Sequence, residues 1–126
     1  MMTLIKNLPA GTVGIEAHGK ITHEDYQRIV IPSIEQALKE NKKIKLLYAI
    51  EDFDGMELSA MWDDTRFGLS HWHDFTHLAL VSDVAWIKNM TAFFAWMIPA
   101  QVKIFPADEM EQAKAWLGAQ EVEKAA

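Results

Sequence analysis

Residues 44–50, Ile44-Lys45-Leu46-Leu47-Tyr48-Ala49-Ile50, form a near-continuous apolar run between Lys42-Lys43 and Glu51-Asp52-Phe53-Asp54. A strand with one wet face alternates apolar and polar residues, whereas a strand covered on both faces does not need to. The run therefore predicts a central strand inside a layered domain, with the lysines as its polar entry. Glu51–Leu58, which contains Asp54-Gly55, reads as the loop that follows it.

The rest of the chain is placed around that strand. Upstream, Thr3–Lys6 and Val13–His18 are short strand candidates, and Pro9-Ala10-Gly11 between them suits a hairpin-like reversal. Thr22 with Asp25 three residues later predicts a capped helix start, because both side chains can meet free amides of the first turn. Pro32 interrupts this helix, so a kink or break is expected near Val30-Ile31, with helix resuming over Ser33–Glu40.

Downstream, Ser59 is read as the cap of a helix running to about Asp74, and Leu78–Val81 as a second buried strand. Asp83 is expected to cap a helix through Ile98, and Val102–Phe105 to form another strand. The last helix is expected to open with Asp108 and Glu111 as a capping box and to stop at Gly118. Strand and helix thus alternate after the first pair of strands. That order predicts an α/β domain, a mixed but mostly parallel sheet of about five strands with about four helices wound beside it. One domain is expected over residues 1–120, with 121–126 as a frayed tail.

Composition narrows the functional classes. The chain has 126 residues, 50% of them hydrophobic, enough for one real core. Its net charge of -6 argues against a nucleic-acid-binding surface, which needs clustered Lys and Arg. No cysteine is present, which removes disulfides, thiol catalysis and thiolate metal sites together. The N-terminal stretch lacks a signal-peptide pattern, so a cytoplasmic location is expected. The most apolar stretch, Val84 to Ile98, contains Lys88 and Asn89 and ends at Pro99; it should not span a bilayer but can touch one.

Residues 71–77, His71-Trp72-His73-Asp74-Phe75-Thr76-His77, hold three of the five histidines. On a helix, at about 100° per residue, His71 and His73 point roughly 200° apart and cannot share one ion. His77 opens the next strand, at the sheet edge opposite to the one where α/β folds bind ligands. No metal is expected here, and no cofactor. No nucleophile accompanies the histidines and Asp74, and no G-x-S-x-G elbow occurs. The carboxyl-terminal edge should be acidic, through Glu51, Asp52, Asp54, Asp83 and Asp108. Paired carboxylates can do acid–base work, but without nucleophile, metal set or phosphate loop they read as caps and solvated loop residues, and no enzyme is expected.

The helix of residues 84–98 is more informative. Its apolar residues, Trp96, Phe93, Trp86, Met97, Met90, Phe94, Ile87 and Ile98 in angular order, cover an arc of roughly 200°, against about 100° or somewhat more for an ordinary surface helix. Lys88, Ala92 and Ala95 are left for the remaining face. Ile87, Met90, Phe94 and Ile98 are expected to pack on the sheet, leaving Trp86, Phe93 and Trp96 to seek a second partner. Burial under the Trp62-Leu69-Trp72 helix, a second subunit, an apolar ligand or a lipid surface would each supply one.

Three segments, ITHEDYQRIVIPSIEQAL (21–38), IKLLYAIEDFDGMELSAMWDDTRFGLSHWHDFTHLALVSDVAWI (44–87) and VKIFPADEMEQAKAWL (102–117), together resemble the SpoIIAA-like family of small bacterial proteins over roughly residues 10–118. The resemblance implies a STAS-related fold, similar in outline to CRAL-TRIO domains, and for some members apolar ligands and membrane association. In anti-sigma-factor antagonists, the related branch, a serine at the start of the helix after the central strand is phosphorylated. Ser59 stands at the comparable place, but Glu57-Leu58-Ser59-Ala60 replaces the D-S-[ST]-G signature, so Ser59 reads first as an N-cap.

The leading expectation is a non-enzymatic module that binds an apolar small molecule or lipid, lined by Trp62, Trp86, Phe93, Phe94, Trp96 and Met97. Peripheral membrane association and a homodimer belong to the same expectation. The alternative is a STAS-type regulatory domain that meets a protein partner around Ser59.

Overall fold

A computed structural model of the chain describes residues 1–56, 73–97 and 99–119. Its framework is a five-stranded sheet in the order β1 (Met2–Ile5), β2 (Thr12–Ile21), β3 (Ile44–Met56), β4 (Phe75–Ser82), β5 (Gln101–Phe105). β1 pairs antiparallel with β2 and every later pairing is parallel. This is the expected mixed, mostly parallel α/β sheet, with 44–50 as its centre. Ile44, Leu46 and Ile50 belong to the core on one face, and Leu47 and Ala49 to the core on the other.

The first face carries helix α1 (His23–Asp25), a π-helical turn (Tyr26–Val30), α2 (Ile31–Glu40) and α3 (Ala85–Phe94). Tyr26, Val30, Ile34 and Ile87 descend from them into a core with Val13, Ile15 and Leu80. The second face carries α4 (Met110–Gly118), whose Ala113 and Leu117 pack on Leu47, Ala79, Val81 and Phe105. α1, the π turn and α2 run on as one helical segment, so with α3 and α4 three segments are seen among the described residues; of the helix expected over 59–74, residues 59–72, with Ser59 and Trp62, lie outside them, and His73-Asp74 form a turn and bend.

Local chemistry explains the helix starts, and it also corrects two of them. At Thr22 the capping box forms as expected: the Asp25 amide donates to Thr22 Oγ1 at 3.2 Å, and the Thr22 amide donates to Asp25 Oδ2 at 3.0 Å. Pro32 does break the pattern, and the break takes the form of the π turn, with the Ile31 amide reaching back to the Tyr26 carbonyl. Asp83 does not cap α3. The Val84 amide instead donates to Ser82 Oγ at 3.1 Å, while Asp83 Oδ1 accepts from the Ala107 amide at 3.1 Å. Asp83 therefore ties the end of β4 to the start of the last helical segment. There Ala107–Glu109 form a 3-10 turn before α4, and no side-chain capping box is made. The turn takes the positions that the box would need.

β3 runs six residues beyond the expected strand end, through the stretch read as a loop. The extension follows from β2, which continues to Ile21 and pairs His18 with Asp52, Gly19 with Phe53, Lys20 with Gly55 and Ile21 with Met56. The register shifts at Ala17/His18 and at Gly19/Lys20 are β-bulges, each of which adds one residue on β3. Gly19 has φ 62, a left-handed value suited to such a site. Gly14 serves another purpose: a Cβ there would lie 2.9 Å from Ile5 Cβ and would also strike Leu8.

Candidate functional site

Helix α3 is oriented differently from the sequence expectation. Ile87 is buried, but Met90, expected beside it, is 51% exposed. Val84, Lys88, Thr91 and Ala95 are half-buried, so two residues assigned to the outer face, Lys88 and Ala95, lie on the inner side. The small Thr91 and Ala95 let that side sit close to the rest of the domain, and the bulky residues turn outward. Trp86 is 51% exposed, Phe93 68% and Trp96 80%.

Trp86, Met90 and Phe93 follow the i, i+4, i+7 spacing of a single helical stripe, and Trp96 stands next to it in the 3-10 turn Ala95–Met97 that continues α3. The three aromatics expose on the order of 400 Å² together, comparable to the largest apolar patch on a typical monomer. No acidic residue occurs between Ala85 and Met97. Of the other expected lining residues, Phe94 and Met97 fall in α3 and its continuation, but their side chains lie outside the described part of the structure, as do Trp62 and Ser59. No described helix is long and apolar enough to cross a membrane.

A second cluster sits within the β2/β3 ladder, where these two strands begin to run past the end of β4, on the α4 face of the sheet. Glu16 and His18 are two residues apart on one strand and therefore share a face. The bulge at Ala17/His18 brings two successive β3 residues, Glu51 and Asp52, to bear on His18. His18 Nδ1 lies 3.2 Å from Asp52 Oδ1 and 3.7 Å from Glu51 Oε2, and Nε2 is hydrogen-bonded to the Glu16 carboxylate. The hydrogen bond to Glu16, opposed in part by desolvation and reinforced by Asp52 and the charge of Glu51, raises the His18 pKa above its ordinary value of 6.5.

Glu51 and Asp52 were expected at the acidic edge; Glu16 and His18 were not. Their legible signal was the Glu-x-His spacing on a strand, which places an imidazole and a carboxylate side by side.

The histidines of 71–77 give no such site among the described residues. His71 lies outside them, His73 is exposed, and His77 is buried on β4. His77 packs edge-on against Trp116, with ring centroids 5.4 Å apart, and its Nε2 has no hydrogen-bond partner among the described residues. Burial, aided by the nearby Lys45 charge, lowers its pKa below 6.5. Lys45 is itself buried, and its Nζ donates to the Leu117 carbonyl at 2.6 Å, at the negative end of α4.

Comparisons with known proteins agree with this architecture. The SpoIIAA-like family model matches residues 12–118. No curated protein matches the chain. Among solved structures, the chain is similar to an uncharacterized protein of the DUF3478 family with a SpoIIAA-like fold from Shewanella loihica PV-4. Identity is 30%, the match covers 93% of this chain and 92% of that one, and the TM-score is 0.74. Helices on both faces of a mixed five-stranded sheet and a family match over most of the length lead to one conclusion: the chain belongs to the SpoIIAA-like family.

Proposed function

We propose that this protein is a non-enzymatic binding module that docks on an amphiphile or lipid surface through the outward stripe of α3. The observation that carries this reading is the exposure of Trp86, Met90, Phe93 and Trp96 on a helix whose Ile87 is buried in the core. Aromatic and thioether side chains of this kind insert readily between headgroups and acyl chains. The net charge of -6 makes a zwitterionic surface the better host, since anionic headgroups would repel the domain as a whole. The soluble sheet stays outside the bilayer in this arrangement, and only the stripe enters.

The test is co-sedimentation with phosphatidylcholine vesicles. Binding is expected for the intact chain and is expected to disappear in a Trp86→Ser/Phe93→Ser/Trp96→Ser variant that melts like the wild type. Failure to bind vesicles and detergent monomers alike would reject the proposal. A second reading, a STAS-type regulatory domain, is favoured by the family membership. Under it a stoichiometric protein partner, recovered from native lysate, would be lost on altering the Ser59 loop while the α3 variant kept it.

A further inference from the structure

We propose that the last turn of α4 is an acid-released latch: a proton on His77 places a second buried cation beside Lys45 and drives residues 115–119 off the sheet, while the start of the helix stays tied down. Thr12, Lys45, His77 and Gln101 stand side by side on β2, β3, β4 and β5, a polar row that holds no carboxylate. Lys45 and His77, at the centre of the row, are both buried beneath that turn. Two neighbouring cations are costly to keep from water without a counter-ion.

The seat accepts one cation and has no provision for another. Lys45 Nζ donates to the Leu117 carbonyl at 2.6 Å, so the negative end of α4 is already taken up. The Thr76 hydroxyl donates to the Ile44 carbonyl and therefore accepts from His77 Nδ1 at 3.0 Å, which puts the single proton of the neutral ring on Nδ1. A second proton would go to Nε2, which is buried without a hydrogen-bond partner among the described residues. Lys103 of β5 lies over the Trp116 ring, 5.9 Å from its centroid, and only adds positive charge. On α4, Glu111 is exposed and pairs with Lys114 at 3.1 Å. The carboxylates of β2 and β3, Glu16, Glu51 and Asp52, gather around His18 at the other end of those strands. Burial first, and then the Lys45 charge, hold the His77 pKa below 6.5.

The two ends of α4 are held by different means. Where the helical segment starts, away from His77, the Ala107 amide donates to Asp83 Oδ1 at 3.1 Å. The last turn rests on the Lys45 bond, on the edge-on contact of Trp116 with His77 and on Leu117 in the second core. Two of these three holds are made to Lys45 and His77 themselves. The 3-10 turn Ala107–Glu109 provides the pivot, and swinging the last turn outward lets water reach both cations at the cost of exposing Leu117. Because docking depresses the His77 pKa, protonation and release are linked. The docked form is favoured above 6.5 and loses ground as pH falls from 6.5 towards the depressed value.

The experiment is an NMR titration of the full chain towards acid, reading the His77 ring, the Trp116 indole and the amides of residues 115–119 together. Amide exchange is measured alongside and corrected for its intrinsic pH dependence. The three sets of signals are expected to move with one midpoint, below 6.5. Across it, protection of 115–119 should fall at least about 10-fold while Leu47 and Ala79 in the sheet keep theirs. His77→Gln should remove the transition, and His73→Gln should leave it in place. A His77 ring that titrates while Trp116 and residues 115–119 stay still would overturn the proposal. So would loss of protection at Leu47 and Ala79 with the same midpoint, or a transition that survives His77→Gln. The first two outcomes are read on the wild type, so they decide the matter even where the glutamine variant does not fold.

Discussion

His18 and His77 point from the same face of one sheet, yet they sit at opposite ends of it and in opposite chemistry. At the carboxyl end, His18 is half-exposed, ringed by Glu16, Glu51 and Asp52, and its protonated form is favoured. At the amino end, His77 is sealed under α4 against Trp116 and near Lys45, and its neutral form is favoured. The end with polar, accessible side chains holds its imidazole by ion pairs open to solvent. The end with buried, mutually repelling ones serves to seat a helix.

The largest effect should come from opening the amino end. Leu117, fully buried in the second core, should cost about 2–5 kcal/mol when cut to alanine. Equilibrium urea unfolding would register it as a lower midpoint. Lys45→Ala removes the buried stem together with the hydrogen bond to the Leu117 carbonyl and should cost about 2–5 kcal/mol. Lys45→Met keeps the stem and removes the buried charge, so it should cost far less than alanine. A methionine variant as unstable as the alanine one would show that the ammonium, not the stem, seats α4.

The two histidines should tilt stability with pH in opposite senses. The folded pKa of His77 lies below 6.5, so as pH falls from 6.5 towards that lower value the unfolded chain takes up a proton that the folded one refuses, and stability is lost. His77→Leu should flatten that acid loss. The folded pKa of His18 lies above 6.5, so its stabilisation is complete below 6.5 and fades as pH rises through the raised value. His18→Gln should therefore weaken the protein at pH 6 and barely change it well above the His18 pKa. Thermal melts across pH 5–9 read both, and identical pH profiles for the two variants would contradict the contrast. The smallest expected effect is an upward drift of the His77 titration in Lys45→Met, followed by NMR, because one of the two causes of its depression is gone.

Much of this fold was legible in the chain. IKLLYAI gave away a doubly covered central strand because both sheet faces need apolar residues there. Thr22-Asp25 announced a helix start because a cap acts over four residues of sequence. Pro32 marked a break because it lacks an amide, although its π form depends on how Tyr26 and Val30 reach the core. What stayed hidden depends on partners distant in sequence. β3 continues past Ile50 only because β2 is there to pair with it. Asp83 turns to Ala107 rather than to its own helix because β5 lies alongside.

The candidate sites divide in the same way. The excess of aromatic residues on 84–98 was readable from periodicity. Which flank would turn outward was not, since it depends on how Ile87 reaches a core built from distant strands. Glu16 and His18 gave only a short same-face spacing; their meeting with Glu51 and Asp52 required a bulge that no local pattern encodes.

The central claim is that the outward face of α3, not the carboxyl-edge cluster, makes contact with an apolar surface. Its most direct measurement is quenching of Trp96 emission by phosphatidylcholine brominated along the acyl chain, in a chain whose other tryptophans are replaced by phenylalanine. Strong quenching with a blue shift on adding vesicles is the result predicted. Emission that stays red and unquenched at millimolar lipid would contradict it.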